Sequence, residues 1–548
     1  MNAPRTRFSA VVLALLVAAY LLPGLLGHDP WKPDEPYTFG AVLNMLKTGD
    51  WIVPTVGAQP FVEKPPLYYW ASAATAWGAS PLLGLPDAAR LASLVFVLAS
   101  GAAIAAAARL AWGEGAAGLS VLLFLATLGL ESHAQRMQVD LAMMAGFALA
   151  TLGFAACSRE KPWGGAMLGL GVGVGFLGKG LFAPAVIGLA ALLLPLFFYQ
   201  WRTRRYFVQL LHAAAVALPA IVIWPLALAR RAPGLFDEWL YVNNLGRFTG
   251  YSTGGLGATA EPGQLGRAAA WFFFPLWAYV IGAVVRDGRR AWHYPGMQIG
   301  LTLGLVGCLV LATSASLRAV YLLPLIPPLV IAGVAALRTP ERGLEKALGW
   351  TSIVLGLAAA AFIWCVWAML VSTGSIPAWK PLADHFPLPF HMPVSFPEIA
   401  AAIALSAGFV ALIVWRERLL APSLTLWVGA LALTWGLAHT LWLPWLEHAK
   451  GYRELFADID RMLPRDVGCI VMDGPGESER AMVEYYLNVT PRKRFVQEGD
   501  CGALLWMANA EKRIHPDWDG TWRRVWGASR PGEKVERFEL FLRGPPPR

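Results

Sequence analysis

The sequence predicts an α-helical polytopic membrane protein of about thirteen spans, followed by a small C-terminal α/β domain. Three observations predict it. Only 15% of the 548 residues are charged and 56% are hydrophobic, whereas soluble domains carry about 25% charge. The deficit is uneven, with long apolar runs alternating with short arginine-bearing loops, as in a chain threaded repeatedly through a bilayer. Residues 447–548 then return to a charged composition with short strand-like runs.

In chain order, Arg5 and Arg7 precede an apolar run near 9–26 that carries Pro23-Gly24 and no small-x-small cleavage site. An uncleaved first span with a cytoplasmic start is expected rather than a signal peptide. Further runs lie near 89–111, 116–131, 139–157, 164–178, 180–199, 206–229, 268–285, 296–313, 319–337, 346–371, 395–415 and 423–446. The run at 164–178 is short and glycine-rich, so a shallow or broken span is expected there. Loops on the starting side are brief and basic: Arg109; Arg159 and Lys161; Arg202, Arg204 and Arg205; Arg286, Arg289 and Arg290; Arg338, Arg342 and Lys346; Arg416 and Arg418. The other side has only scattered cations in its short loops (Arg136, Lys179, Arg318 and Lys380). This bias sets the N-terminus in the cytoplasm, and an odd span count sets the C-terminus on the opposite face. The net charge of +9 therefore reflects topology. No basic stripe is interleaved with aromatics as in single-strand binders, so nucleic acid is not an expected partner.

The long segments 27–88, 230–267, 372–394 and 447–548 all fall on the outer face. The first is expected to hold two surface helices, near 36–48 with Gly49 past its end, and near 65–77 behind paired prolines. Trp31, Trp51, Tyr68, Tyr69, Trp70 and Trp77 suit an interfacial position. In 447–548 a helix is expected near 449–462 and strands near 469–472 and 538–542. Cys157, Cys308 and Cys365 fall in apolar runs and read as buried small hydrophobes. Cys469 and Cys501 lie in the outer domain, where a disulfide is chemically permitted.

Ionisable residues beside membrane spans are costly unless they act. Asp34, Glu35, Glu63, Lys64, Arg90, Arg136, Asp140, Lys179, Arg247 and Arg318 all fall at the outer ends of spans or in outer loops. Each also has a plain reading. Asp34 could cap the helix begun by Pro36, Glu63-Lys64 could be a solvated pair, Asp140 could pair with Arg136 one turn away, and Lys179 could snorkel to the interface. P-loops, zinc signatures and Gly-x-Ser-x-Gly are absent. A transporter would want charges deep in the spans and an internal repeat, and neither is present.

Several motifs carry a resemblance. They are Asp34-Glu35 after the first span, Thr48-Gly49-Asp50-Trp51, and Glu63-Lys64-Pro65-Pro66-Leu67-Tyr68-Tyr69-Trp70. Arg90, Asp140, Asn243-Asn244-Leu245-Gly246-Arg247-Phe248 and Tyr321-Leu322-Leu323-Pro324 complete the set. Together they resemble the ArnT-like branch of the GT-C glycosyltransferases, a lipid A aminoarabinose transferase family related to protein O-mannosyltransferases. The resemblance runs over essentially the whole chain and implies a GT-C transmembrane domain over 1–446 and a periplasmic domain over 447–548. It implies transfer of a sugar, 4-amino-4-deoxy-L-arabinose or similar, from undecaprenyl phosphate to lipid A or another lipid-linked acceptor at the bacterial inner membrane. The alternative left open is a polyprenyl-phosphate sugar transferase acting on protein or another glycan. By motif position, Asp34 and Asp140 are the catalytic carboxylates, and Lys64, Arg247 and Arg318 hold the donor phosphate. Glu35, Glu63, Arg136, Tyr37 and Tyr321 line the pocket. Two departures stand out. Tyr37 replaces an arginine common three positions after the catalytic aspartate. Loop 249–267 lacks the histidine that pairs with the Glu-Lys-Pro-Pro glutamate at a metal site. Glu63 is thus the single candidate metal ligand, no cofactor is required, and no bound metal is predicted.

Overall fold

The computed structural model describes residues 3–251, 260–338, 342–377, 382, 386–474, 476–494, 501–509, 522–533 and 535–544. The side chains of Arg5, Arg7 and Arg342, and all of Lys380, lie outside the described residues. Among the described residues, eight helices are long and apolar enough to cross a membrane, and four shorter apolar helices fall at Ala10–Leu21, Ala116–Leu125, Gly164–Lys179 and Phe182–Phe197. The run expected as one span at 268–285 is instead a bent pair, Gln264–Phe272 and Leu276–His293, with a 91° turn between them. Pro275 sits at the break, and a proline ring cannot continue the preceding helix.

Val139–Ser158 is the central helix, with 89% of its apolar window buried, whereas Phe396–Val414 is 11% buried and faces outward. The glycine-rich run is neither shallow nor broken. Gly164–Lys179 is continuous, and its glycines let it press against the central helix. A Cβ on Gly146 would lie 2.5 Å from the Gly175 nitrogen, and one on Gly171 would lie 2.4 Å from the Ala150 nitrogen. Bilayer helices pack through such small residues because hydrocarbon supplies no hydrophobic drive between them. The consequence for the site is that Lys179, the last residue of this helix, is held beside Asp140, at the start of the central helix.

The first loop folds into helices Glu35–Thr48 and Leu67–Ala79. The first has Pro36 in its opening turn and ends on Gly49 at φ 69°, where glycine adopts the left-handed conformation without strain. The helix expected at 449–462 is split into Leu443–Lys450 and Arg453–Met462. At Gly451, between them, a Cβ would meet Glu447 Oε1 at 2.5 Å.

Among the described residues the C-terminal sheet has five strands: β1 (Cys469–Asp473), β2 (Thr490–Lys493), β3 (Ala503–Asn509), β4 (Trp522–Ala528) and β5 (Glu536–Arg543). Their order is β2-β1-β3-β5-β4, with β1 parallel to both β2 and β3 and the remaining pairs antiparallel. Cys469 and Cys501 are joined as a disulfide. Cys157 is buried, but Cys308 is only half-buried and Cys365 is exposed on an outward helix surface, so those two are not core residues.

This sheet region docks on the first loop through helix Glu477–Tyr486. A Cβ on Gly40 would lie 2.5 Å from that of Ala481, so glycine permits the close crossing. Charges tie the same surfaces. Arg453 donates two hydrogen bonds to Asp29, at 3.0 and 2.8 Å. Lys32 pairs with Glu479 and Glu536.

Candidate active site

Asp34 and Glu35 are neighbours in sequence but face different partners. Glu35 is fully buried and accepts from Arg90 Nε at 3.0 Å, from the Trp31 amide at 3.0 Å and from the Met137 amide at 3.1 Å. Burial would raise its carboxyl, but the charge of Arg90 outweighs that and holds it at about 2. Glu35 therefore knots the first loop to the 132–138 segment.

Asp34 makes no capping bond to the helix that follows it. Its carboxylate accepts from four donors: Arg318 Nη1 and Nη2 at 3.1 and 3.0 Å, the Tyr37 hydroxyl at 2.6 Å and Gln138 Nε2 at 3.0 Å. Burial alone would push the group up. The hydrogen bond and charge of Arg318, the charge of Lys64 and the Tyr37 hydroxyl more than offset this and hold it well below the usual carboxylate range. Asp34 is a fixed anion.

Tyr37, at the position of the expected arginine, is a bridge. Its hydroxyl donates to Asp34 and accepts from Lys64 Nζ at 3.4 Å. Glu63 lies between two cations, 3.3 Å from Arg247 Nη1 and 3.9 Å from Lys64 Nζ. Those surroundings do not suit a metal ligand, because the space around the carboxylate is already occupied by positive charge. Burial disfavours the Lys64 ammonium, but Glu63, Tyr69, Asp34 and Asp140 outweigh it and raise its pKa, so it stays charged. Asp140 pairs with Lys179, not with Arg136, and the Lys179 ammonium stands 3.8 Å over the Tyr321 ring.

These groups line one polar cavity of about 320 Å³, which holds Asp34, Tyr37, Glu63, Lys64, Asp140, Lys179, Arg247, Arg318 and Tyr321. It runs into a second, largely apolar cavity of about 350 Å³ walled by Met143, Leu181, Phe182, Phe248, Val310 and Leu311. The two share Glu63, Lys64, Lys179, Arg247 and Tyr321. Arg136 is not in the polar cavity. It lines a third space of about 220 Å³ that also reaches Asp34, and Glu35 flanks the same space. Sequence reasoning missed Gln138, although a polar residue two places before Asp140 at a span's outer end was a usable signal. It also missed Glu477, which reaches the polar cavity from the C-terminal region and which no local pattern marks.

No family model matches the chain. The chain is 30% identical over 385 residues to the undecaprenyl phosphate-alpha-4-amino-4-deoxy-L-arabinose arabinosyl transferase of Edwardsiella ictaluri, across 66% of each chain. It is 27% identical over 338 residues to the protein of that name from Serratia proteamaculans. The matches span 66% and 58% of those relatives' own lengths. Among solved structures, ArnT from Cupriavidus metallidurans bound to undecaprenyl phosphate superposes with a TM-score of 0.70 at 16% identity, over 98% of this chain and 99% of that one. Its apo form gives 0.66. The chain is ArnT-like in sequence and shares the fold of the solved ArnT structures. In this ArnT-like chain the superposition carries the fold alone, and the site rests on the residues above.

Proposed function

We propose that this ArnT-like chain transfers 4-amino-4-deoxy-L-arabinose, or a closely similar sugar, from undecaprenyl phosphate to lipid A or a related lipid-linked acceptor. The reading places it in a bacterial inner membrane with the site on the periplasmic side. Residues 1–446 form the thirteen-span catalytic domain with a cytoplasmic N-terminus, and 447–548 form a periplasmic domain. The observation that carries the proposal is the junction of the polar and apolar cavities at Lys64, Arg247 and Tyr321. A molecule whose anionic group lies between a sugar and a hydrocarbon chain matches that junction, and few other ligands do.

In the proposed step, the bond from the sugar carbon to the donor phosphate oxygen breaks. Its electron pair leaves with the phosphate, whose charge goes from −1 to −2. Lys64 and Arg247, aligned by Glu63, neutralise that growing charge, and Arg318 adds a third cation nearby. Asp34 stays ionised and faces the positive charge developing at the sugar carbon. One displacement inverts that carbon. Asp140, held by Lys179, orients the sugar from the opposite wall. Mass spectrometry of lipid A from the host, with and without the gene, tests the proposal. A pentosamine-sized difference supports donor and acceptor together. No difference removes lipid A as the acceptor, and labelled polyprenyl-phosphate sugars with the purified protein then test transfer to protein or another glycan.

A further inference from the structure

Residues 29–32, which lead into Asp34, are bonded to the C-terminal region at three points. The Asp29 carboxylate accepts two hydrogen bonds from Arg453 and one from the Tyr486 hydroxyl. The Trp31 indole donates to Glu447 Oε2 at 2.8 Å. The Lys32 ammonium, two residues before Asp34, sits between the carboxylates of Glu479 and Glu536. The Asp34 carboxylate takes its own bonds elsewhere, from Tyr37, Gln138 and Arg318.

The slot that receives Lys32 is built within the C-terminal region. Glu479 lies in helix Glu477–Tyr486 and is buried. Its Oε1 accepts from the Tyr452 hydroxyl and its Oε2 from the Gly476 amide, both at 2.9 Å. Glu536 opens β5, and its Oε2 accepts from Arg530 Nη2 at 3.0 Å. Arg530 also donates to the Lys450 carbonyl at 3.0 Å and stands 4.5 Å over the Tyr452 ring. Two carboxylates from separate elements, each anchored by its own partners, thus face one ammonium, and they repel each other once that cation is gone. Docking of the region has other supports, because helix Glu477–Tyr486 also crosses closely at Gly40 and Asp29 has its own ion pair with Arg453. The same helix brings Glu477 into the wall of the polar cavity. The element that grips Lys32 is therefore part of the site.

We propose that Lys32 is a positioning residue for the transfer step: the Glu479–Glu536 slot fixes Lys32, and Lys32, through Pro33, fixes the backbone from which Asp34 enters the polar cavity. The inference rests on the transferase reading above and adds a role for the C-terminal region in the chemical step. The Cα atoms of residues 32 and 34 are at most about 7 Å apart. Pro33 locks its own φ and restricts the backbone of Lys32, so a displacement at Lys32 is passed to Asp34 with little absorbed between them. On its other side Asp34 is pinned by Glu35, which is bonded to Arg90 and to the Met137 amide. Asp34 is thus held between two clamps, one among the membrane helices and one in the C-terminal region. A misplacement of about 1 Å at a reacting group costs about 10²-fold in rate. Release of the Lys32 clamp is therefore felt in turnover, while donor affinity rests on Lys64 and Arg247.

The test compares the full wild-type chain in lipid nanodiscs with Lys32→Met, which keeps the aliphatic length and removes the charge. For transfer from a labelled undecaprenyl-phosphate sugar to lipid A, kcat is expected to fall about 10–100-fold with the donor KM within about threefold of wild type. Amide hydrogen exchange in residues 31–38 is expected to rise at least about tenfold, while the central helix Val139–Ser158 stays as protected as in the wild type and so reports that the variant is folded. Glu536→Gln weakens the slot from the C-terminal side and is expected to move both readouts the same way. The double variant Lys32→Met/Glu536→Gln is expected to lose no more than Lys32→Met alone, as for two partners in one contact. If Lys32→Met does not fold, Glu536→Gln carries the test. In a folded variant, an unchanged kcat, a raised KM with kcat kept, or unchanged exchange in residues 31–38 overturns the assignment, as does full additivity in the double variant. Absence of turnover in the wild type counts instead against the transferase reading, and the exchange comparison then decides by itself whether Lys32 holds the segment that carries Asp34.

Discussion

Asp34→Asn is the substitution that best separates chemistry from architecture. The amide keeps the shape of the carboxylate but loses its charge, and one of its two ends becomes a donor facing donors. Arg318 loses a paired contact with bonds of 3.1 and 3.0 Å. The arginine side chain is 37% exposed, so water compensates part of the loss and the stability cost is about 1–2 kcal/mol. The catalytic cost is larger. Removing one preorganised electrostatic group from a transition state costs about 3–4 kcal/mol, or roughly 10²–10³ in rate. Turnover of labelled polyprenyl-phosphate sugar by Asp34→Asn protein is therefore expected to fall at least that far, with undecaprenyl phosphate affinity within about threefold of wild type. Glu35→Gln is the contrasting control. It weakens the pairing of Arg90, which is wholly buried, and breaking a buried ion pair costs about 3–5 kcal/mol. It should lower the yield of folded protein more than the turnover of what folds. Near-normal turnover in Asp34→Asn would refute the assignment of Asp34 to the chemical step.

Other expectations follow from the same geometry. Lys64→Ala and Arg247→Ala should each weaken undecaprenyl phosphate binding by about 10–100-fold, the cost of losing one charge-assisted contact, as measured by titration in nanodiscs. Glu447 is raised to about 7 by burial and by the neighbouring Asp29. Its folded form thus binds a proton that the unfolded chain releases above the ordinary glutamate range, so stability falls as pH rises from about 4.5 to 7. Thermal melts across that window should show this slope, and Glu447→Gln should flatten it. The disulfide spans 32 residues, and Cys469→Ser should destabilise the C-terminal sheet by about 3–4 kcal/mol, measured as an earlier loss of protease resistance in that region.

Composition and hydropathy alone determined that this chain crosses a membrane many times and ends in a mixed sheet region, because apolar run length is a property of the sequence and the bilayer sets it. Local punctuation determined the surface helix that opens near Pro36 and ends at Gly49, and the motifs around Asp34, Glu63, Arg247 and Tyr321 pointed to one face. Tertiary structure decided the rest. Hydropathy reads Phe272 and Leu276 alike, but only the packed fold shows that the chain turns by 91° between their helices. Asp140 lies four residues from Arg136, but its partner is Lys179, brought in by glycine contacts between two helices. The adjacent Asp34 and Glu35 take opposite roles because side-chain direction, not sequence position, determines which arginine each meets. Gln138 and Glu477 reach the site through contacts between distant segments, and the division of the space around Asp34 into two cavities exists only once those segments have packed.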